Sequence, residues 1–104
     1  MEKFLLVYYG GKQPPPEKKD MVMQDWMNWF QAQGKMVVDQ GNPTMPGKTI
    51  GPRGGVKPGV IGEPVTGYSI IIAASLDAAV AAAKTNPQLK AGGEIAVYSI
   101  MNLM

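Results

Sequence analysis

The stretch "GNPTMPGKT" at residues 41–49 closes on Gly47, Lys48 and Thr49 as a phosphate-binding loop does, so nucleotide chemistry is the first to weigh. Such a loop needs four residues between its first glycine and the Gly-Lys-Thr, which lets backbone N–H groups wrap the phosphates. Here Asn42 stands where that glycine is required, Gly41 comes one place early, and Pro43 and Pro46 each remove a donor. The motif should also open a helix aimed at the anion. Thr49 instead leads into Ile50, Gly51, Pro52, Arg53, Gly54 and Gly55, which cannot start one. A turn-rich connection is the better reading.

Other chemistry is bounded by what the chain lacks. It has no cysteine and no histidine, so thiol nucleophiles, thiolate or imidazole metal ligands and Ser-His pairs are all excluded. Proton transfer near neutral pH would fall to one of eight carboxylates, to a lysine lowered by burial, or to a tyrosine. Met21, Met23 and Met27 crowd one segment as they might around a soft metal ion, but methionine is better known as a filler of core and interface gaps, so no metal is expected. Lys48, Arg53 and Lys57 could clamp a phosphate or carboxylate, with the arginine as a bidentate fork. Trp26, Trp29, Tyr8, Tyr9, Tyr68 and Tyr98 could line an aromatic pocket, a role that competes with ordinary core packing.

These residues need elements to hold them. Phe4 to Tyr9 is a continuous apolar and aromatic run, the pattern of a strand buried on both faces, and Gly10 and Gly11 end it. After "KQPPPEKK" a helix is expected from about residues 16–18, since proline is tolerated in a first turn. Val22, Trp26, Trp29 and Phe30, flanked by Met23 and Met27, recur at three and four residues, and Gly34 is a natural stop. Residues 35–40 read as a second strand. Residues 41–64 hold seven of the thirteen glycines and five of the nine prolines, which predicts a long loop with short pairings near 48–50 and Val60. Thr66 to Ala73 alternates as a third strand. Ser75 is a good N-cap with Asp77 behind it, and Leu76, Ala79, Val80 and Ala83 mark one face of a helix that stops before Pro87. Glu94 to Ile100 is the fourth strand.

The order predicts an α+β domain spanning 1–104, a ferredoxin-like βαββαβ unit with both helices on one face of an antiparallel sheet. Strands that are apolar on both sides leave the second face bare, and a second copy of the chain is the simplest cover. A homodimer through the sheet faces is therefore expected. The net charge of +2 is too small for a nucleic-acid surface, no apolar run approaches membrane-spanning length, and the first residues lack a signal-peptide pattern, so neither nucleic acid nor membrane is an expected partner and the cytoplasm is the expected compartment.

The segments "GKMVVDQGNP", "EPVTGYSIIIAASLDAAVAAAK", "NPQL" and "GGEIAVYSIM" together resemble the YCII-related family of small dimeric α/β-barrel proteins, in its longer DGPF-type branch. The resemblance covers nearly the whole chain and implies the same ferredoxin-like fold and sheet-to-sheet homodimer. It also implies that some relatives are small-molecule enzymes using a histidine of the first helix and an aspartate of the Asp-Pro step after the second. Those positions fall here on Met23 and Asn86. Neither can relay a proton as a base. The family's Asp-Gly-Pro-Phe signature is altered to Gly62, Glu63, Pro64 and Val65.

The functional expectation is a small polar or aromatic ligand held between helix and sheet, with no cofactor. Trp26 and Tyr68 are the expected walls, Arg53 an anion clamp, and Asp39, Asn42 and Asn86 hydrogen-bond partners. Two alternatives stand beside it. One is a lyase or hydrolase with Asp39, Glu63 or Asp25 as a carboxylate base raised by burial; the other is an oligomerising module whose pocket is filled by its own methionines and tryptophans.

Overall fold

Alternation of apolar side chains builds the sheet, and helical spacing builds the layer that covers it. The computed structural model of the protein describes residues 1–103. In chain order the elements are strand β1 (Glu2–Tyr9), helix α1 (Lys19–Gln33), strands β2 (Val37–Asp39), β3 (Lys48–Ile50), β4 (Val56–Pro58) and β5 (Val65–Ala73), helices α2 (Leu76–Ala83) and α3 (Pro87–Lys90), and strand β6 (Glu94–Ser99). Four strands form an antiparallel sheet in the order β2-β5-β1-β6, and β3 pairs with β4 alone. The protein is a mixed α+β fold.

Register decides which residues meet the helices. Phe4 stands opposite Ile71 and Ser99, Leu6 opposite Ser69 and Val97, and Tyr8 opposite Gly67 and Ile95. All of these share one face, because residues directly opposite in a ladder point the same way. That face packs with Trp29 of α1 and with Ala79 and Ala83 of α2 into a single core, with Trp26, Phe30, Ile95 and Val97 partly buried around it. Burying a side chain the size of Phe4 or Leu6 contributes about 1.5–3 kcal/mol. The other face presents Leu5, Val7, Ile70, Ile72, Ala96 and Tyr98.

Local signals set the helix ends. A single 3-10 turn at Pro16–Lys18 leads into α1, and Gly34 closes it in the left-handed region that a non-glycine residue would find strained. The Ser75 hydroxyl accepts from the Ala78 N–H and caps α2. Beyond it Asn86 caps α3, a short helix not expected from the sequence, with its Oδ1 accepting from the Gln88 N–H. Leu76, expected on the buried face of α2, is 45% exposed; the helix meets the core through Ala79 and Ala83, with Ala78 and Ala82 partly buried beside them. The expected strand at 35–40 is shorter, because Gly34–Met36 is a 3-10 turn.

Residues 41–64 differ most from the expectation. Asn42 to Thr44 extend the sheet edge through a Pro43 to Gly67 bridge, and the chain then leaves as the β3–β4 hairpin. The expected pairing near Val60 falls instead on Val56 to Pro58. A tight turn is the reason, with the Gly51 N–H bonding to Gly55 O and the Gly54 N–H to Gly51 O, which fixes Ile50 opposite Val56. Nearly every residue from 42 to 66 is exposed. The molecule measures 44 × 43 × 18 Å with a radius of gyration of 15.2 Å, above the roughly 13 Å of a compact domain this long.

Candidate functional site: a cleft between helix α1 and the sheet

Tyr8 is the centre of the site. Its position near the end of β1 puts its ring under α1 at the place where Gly10 and Gly11 turn the chain away, and a cleft of about 460 Å3 opens there. Trp26 meets Tyr8 edge to face with ring centroids 5.2 Å apart, and Phe30 lies 5.9 Å beyond Trp26. Val22 and Met23 continue that wall one turn earlier on α1, as the three- and four-residue spacing requires. Gln40 to Pro43 and Thr66 to Tyr68 form the opposite side. Gly41 carries a positive φ of 74° beside Tyr68, and a Cβ there would overlap the Tyr68 carbonyl, so only glycine lets the two segments approach.

Beneath this lining lies a buried polar chain. Asn86 Nδ2 donates to the Tyr8 hydroxyl at 3.3 Å, that hydroxyl donates to Ser69 Oγ at 2.7 Å, and Ser69 Oγ donates to the Gln40 carbonyl at 2.7 Å. Burial pushes the Tyr8 hydroxyl above its ordinary pKa, against the opposing pull of its bonds to Ser69 and Asn86. Tyr8 is therefore neutral throughout the physiological range, and its proton is committed inward. Gln88 ties down the loop beside it, Nε2 donating to Tyr9 O at 2.9 Å and Gly10 O at 3.0 Å, while the Lys12 N–H reaches Ala91 O at 2.8 Å. Trp29 stays out of the cleft, its indole N–H donating to Thr85 Oγ1 at 2.9 Å.

The residues expected at the site are divided by the fold. Trp26, Asn42 and Met23 line the cleft. Tyr68 borders it at the edge of β5, but its register opposite Val7 turns its side chain to the other face of the sheet, with Ile70 and Ile72, so it is not the aromatic wall expected of it. Asn86 lies below it, 1% exposed, with its amide spent on Tyr8 and on the α3 cap. Asp39 holds the turn behind the cleft, its carboxylate accepting from the Gly41 N–H at 2.8 Å. Arg53 sits exposed in the turn of the β3–β4 hairpin, with Lys48 and Lys57 on its two strands, and none of the three lines the cleft. Glu63 borders a separate, shallower depression of about 370 Å3 with Tyr9, Glu94, Ile95 and Ala96, while Asp25 is exposed on α1. Among the described residues no carboxylate lines the cleft, and no three metal-ligating side chains of the His, Cys, Asp or Glu type gather anywhere.

Sequence reasoning missed Gln40, Gln88, Lys12 and Gln13, and named Tyr8 only as one aromatic among six. Tyr8 could have been found from its alternation with Phe4 and Leu6 just before a Gly-Gly pair. Nothing local marks Ser69 or Gln88 as its supports. No protein-family model matches the chain, and no curated protein matches it significantly.

Proposed function

We propose that this chain is a YCII-related homodimeric binding protein that holds a small aromatic or polar molecule in the cleft between α1 and the sheet. The observation that carries the reading is a half-open cavity with aromatic walls, floored by a tyrosine whose hydroxyl is fully committed to buried partners. Such a floor is pre-organised. Ligand sites in proteins are mostly apolar clefts of this size with a few fixed polar groups. Binding rather than catalysis is the function taken here, because Asp25, Asp39 and Glu63 all lie outside the cleft lining.

The strand order β2-β5-β1-β6, with helices on one face, supports a ferredoxin-like unit, and the half-buried apolar side chains of Leu5, Ile70 and Ile72 on the other face, around a buried Val7, support a second copy as its cover. Tyr98, 54% exposed on that same face, would be sealed in such a dimer. The resemblance to YCII-related proteins supports both. Among the described residues no helix is long and apolar enough to cross a membrane, and the cytoplasm is the proposed compartment.

Native mass spectrometry tests both parts of the proposal. A dimer carrying a small molecule, with that mass lost from Trp26→Ala, is the expected result. A monomer at micromolar concentration overturns the dimer, and a retained mass indifferent to Trp26→Ala overturns the cleft.

A further inference from the structure

The cleft changes character from floor to mouth. Tyr8 is buried, Val22, Trp26 and Phe30 are half-buried, and Lys12, Gln13 and Asn42 are exposed at the rim. The donors of the floor are all turned inward, on Ser69, Tyr9 O and Gly10 O. At the rim the Gln13 and Asn42 amides and the Lys12 ammonium carry no hydrogen bond or ion pair to another side chain among the described residues. Among the described residues Lys12 is also the only charged one in the lining.

We propose that the cleft selects an aromatic anion, a flat ring against Trp26 and Phe30 with a carboxylate or similar group turned out to Lys12. This rests on the cleft being a ligand site. An apolar ring gains from burial against the aromatic wall, while the charge stays at the rim, where water and the ammonium keep it from a full desolvation cost. Asn42 and Gln13 carry amides at the rim whose N–H groups can turn to that charge, though their oxygens would serve a cation equally, so the choice of sign falls to Lys12. A cationic ligand would find the π-face of Trp26 and the amide oxygens of the rim. Against it stand the like charge of Lys12 and the lack of any carboxylate in the lining.

Three probes of matched shape test the choice: 2-naphthoate, 2-naphthamide and 2-naphthylmethylammonium, titrated calorimetrically into the wild-type protein. The expected order is naphthoate first, with about a tenfold preference over the amide from the charge-assisted contact, and the ammonium last. Lys12→Gln should bring the anion-to-amide ratio close to one. Arg53→Gln, on the hairpin outside the lining, should leave that ratio as it is in the wild type. Equal binding of naphthoate and amide, tightest binding of the ammonium, or a preference that follows Arg53 rather than Lys12 overturns the anion proposal and leaves the cleft standing. Binding of none of the three overturns both.

Discussion

The floor of the cleft and the β3–β4 hairpin are held together under opposite rules. Around Tyr8, the hydroxyl and the Ser69 and Asn86 side chains are tied to partners from distant parts of the chain, and no buried side-chain nitrogen or oxygen among the described residues lacks a partner. The hairpin closes on itself through the Gly51 to Gly55 turn and the Thr49 hydroxyl, which donates to Gly59 O. It turns Ile50 (72% exposed) and Val56 (61%) towards water. A lone two-stranded hairpin is marginally stable at best. The difference teaches that burial, not the mere presence of apolar side chains, decides where this chain joins distant segments.

Substitutions can break that comparison at its strongest point. Phe4→Ala in the core should cost about 3–5 kcal/mol, and Leu6→Ala about 2–5, while Ile50→Ala on the hairpin should fall within about 0.5 kcal/mol. Urea unfolding of the three variants checks this, and a large loss at Ile50 would mean that the hairpin is held by packing after all. Next in size is the buried chain beneath the cleft. Ser69→Ala leaves the Tyr8 hydroxyl without its acceptor and should cost about 1–3 kcal/mol, read by thermal melting. The Ser75 cap is more local, and Ser75→Ala should cost about 1 kcal/mol without altering ligand binding.

The smallest effect is one of pH. Tyr8 holds its proton more tightly in the folded protein than in the unfolded chain, whose ordinary pKa is 10.0. Below pH 10 both states are protonated there and the contribution is flat. Above it the unfolded chain sheds the proton first, so stability falls as pH rises towards the folded value. Tyr8→Phe should melt at a lower temperature at pH 8 yet lose less between pH 9.5 and 11. Parallel alkaline declines for the two proteins would remove Tyr8 as a source.

Legibility in the sequence followed the range of the interaction. Gly34 as a helix stop and Ser75 as a cap were readable because each acts within four residues. The sheet was readable from alternation, since Phe4, Leu6 and Tyr8 must share a face whatever they touch. The partners of Tyr8 were not, and neither was the exposure of Met21 and Met27, which share α1 with the residues of the cleft wall but face outward. Asn86 shows the limit well. By the resemblance alone it stood where an aspartate was expected; in the fold it is a cap and a donor to Tyr8. Arg53 was attractive for its chemistry, but nothing in its neighbourhood encoded how far the hairpin would carry it from the cleft.

The wiring of Tyr8 also sets an order of events during synthesis. Its hydroxyl is bonded to residues 61 and 78 positions further along the chain, and Gln88 braces the neighbouring Tyr9 carbonyl from 79 positions away. Contacts of such separation form late, after the cost of closing large loops has been met. A chain emerging from the ribosome can coil α1 early, but it has no finished floor for the cleft until Gln88 is free of the exit tunnel. Nascent chains stalled before that residue should therefore be blind to any ligand of the mature protein.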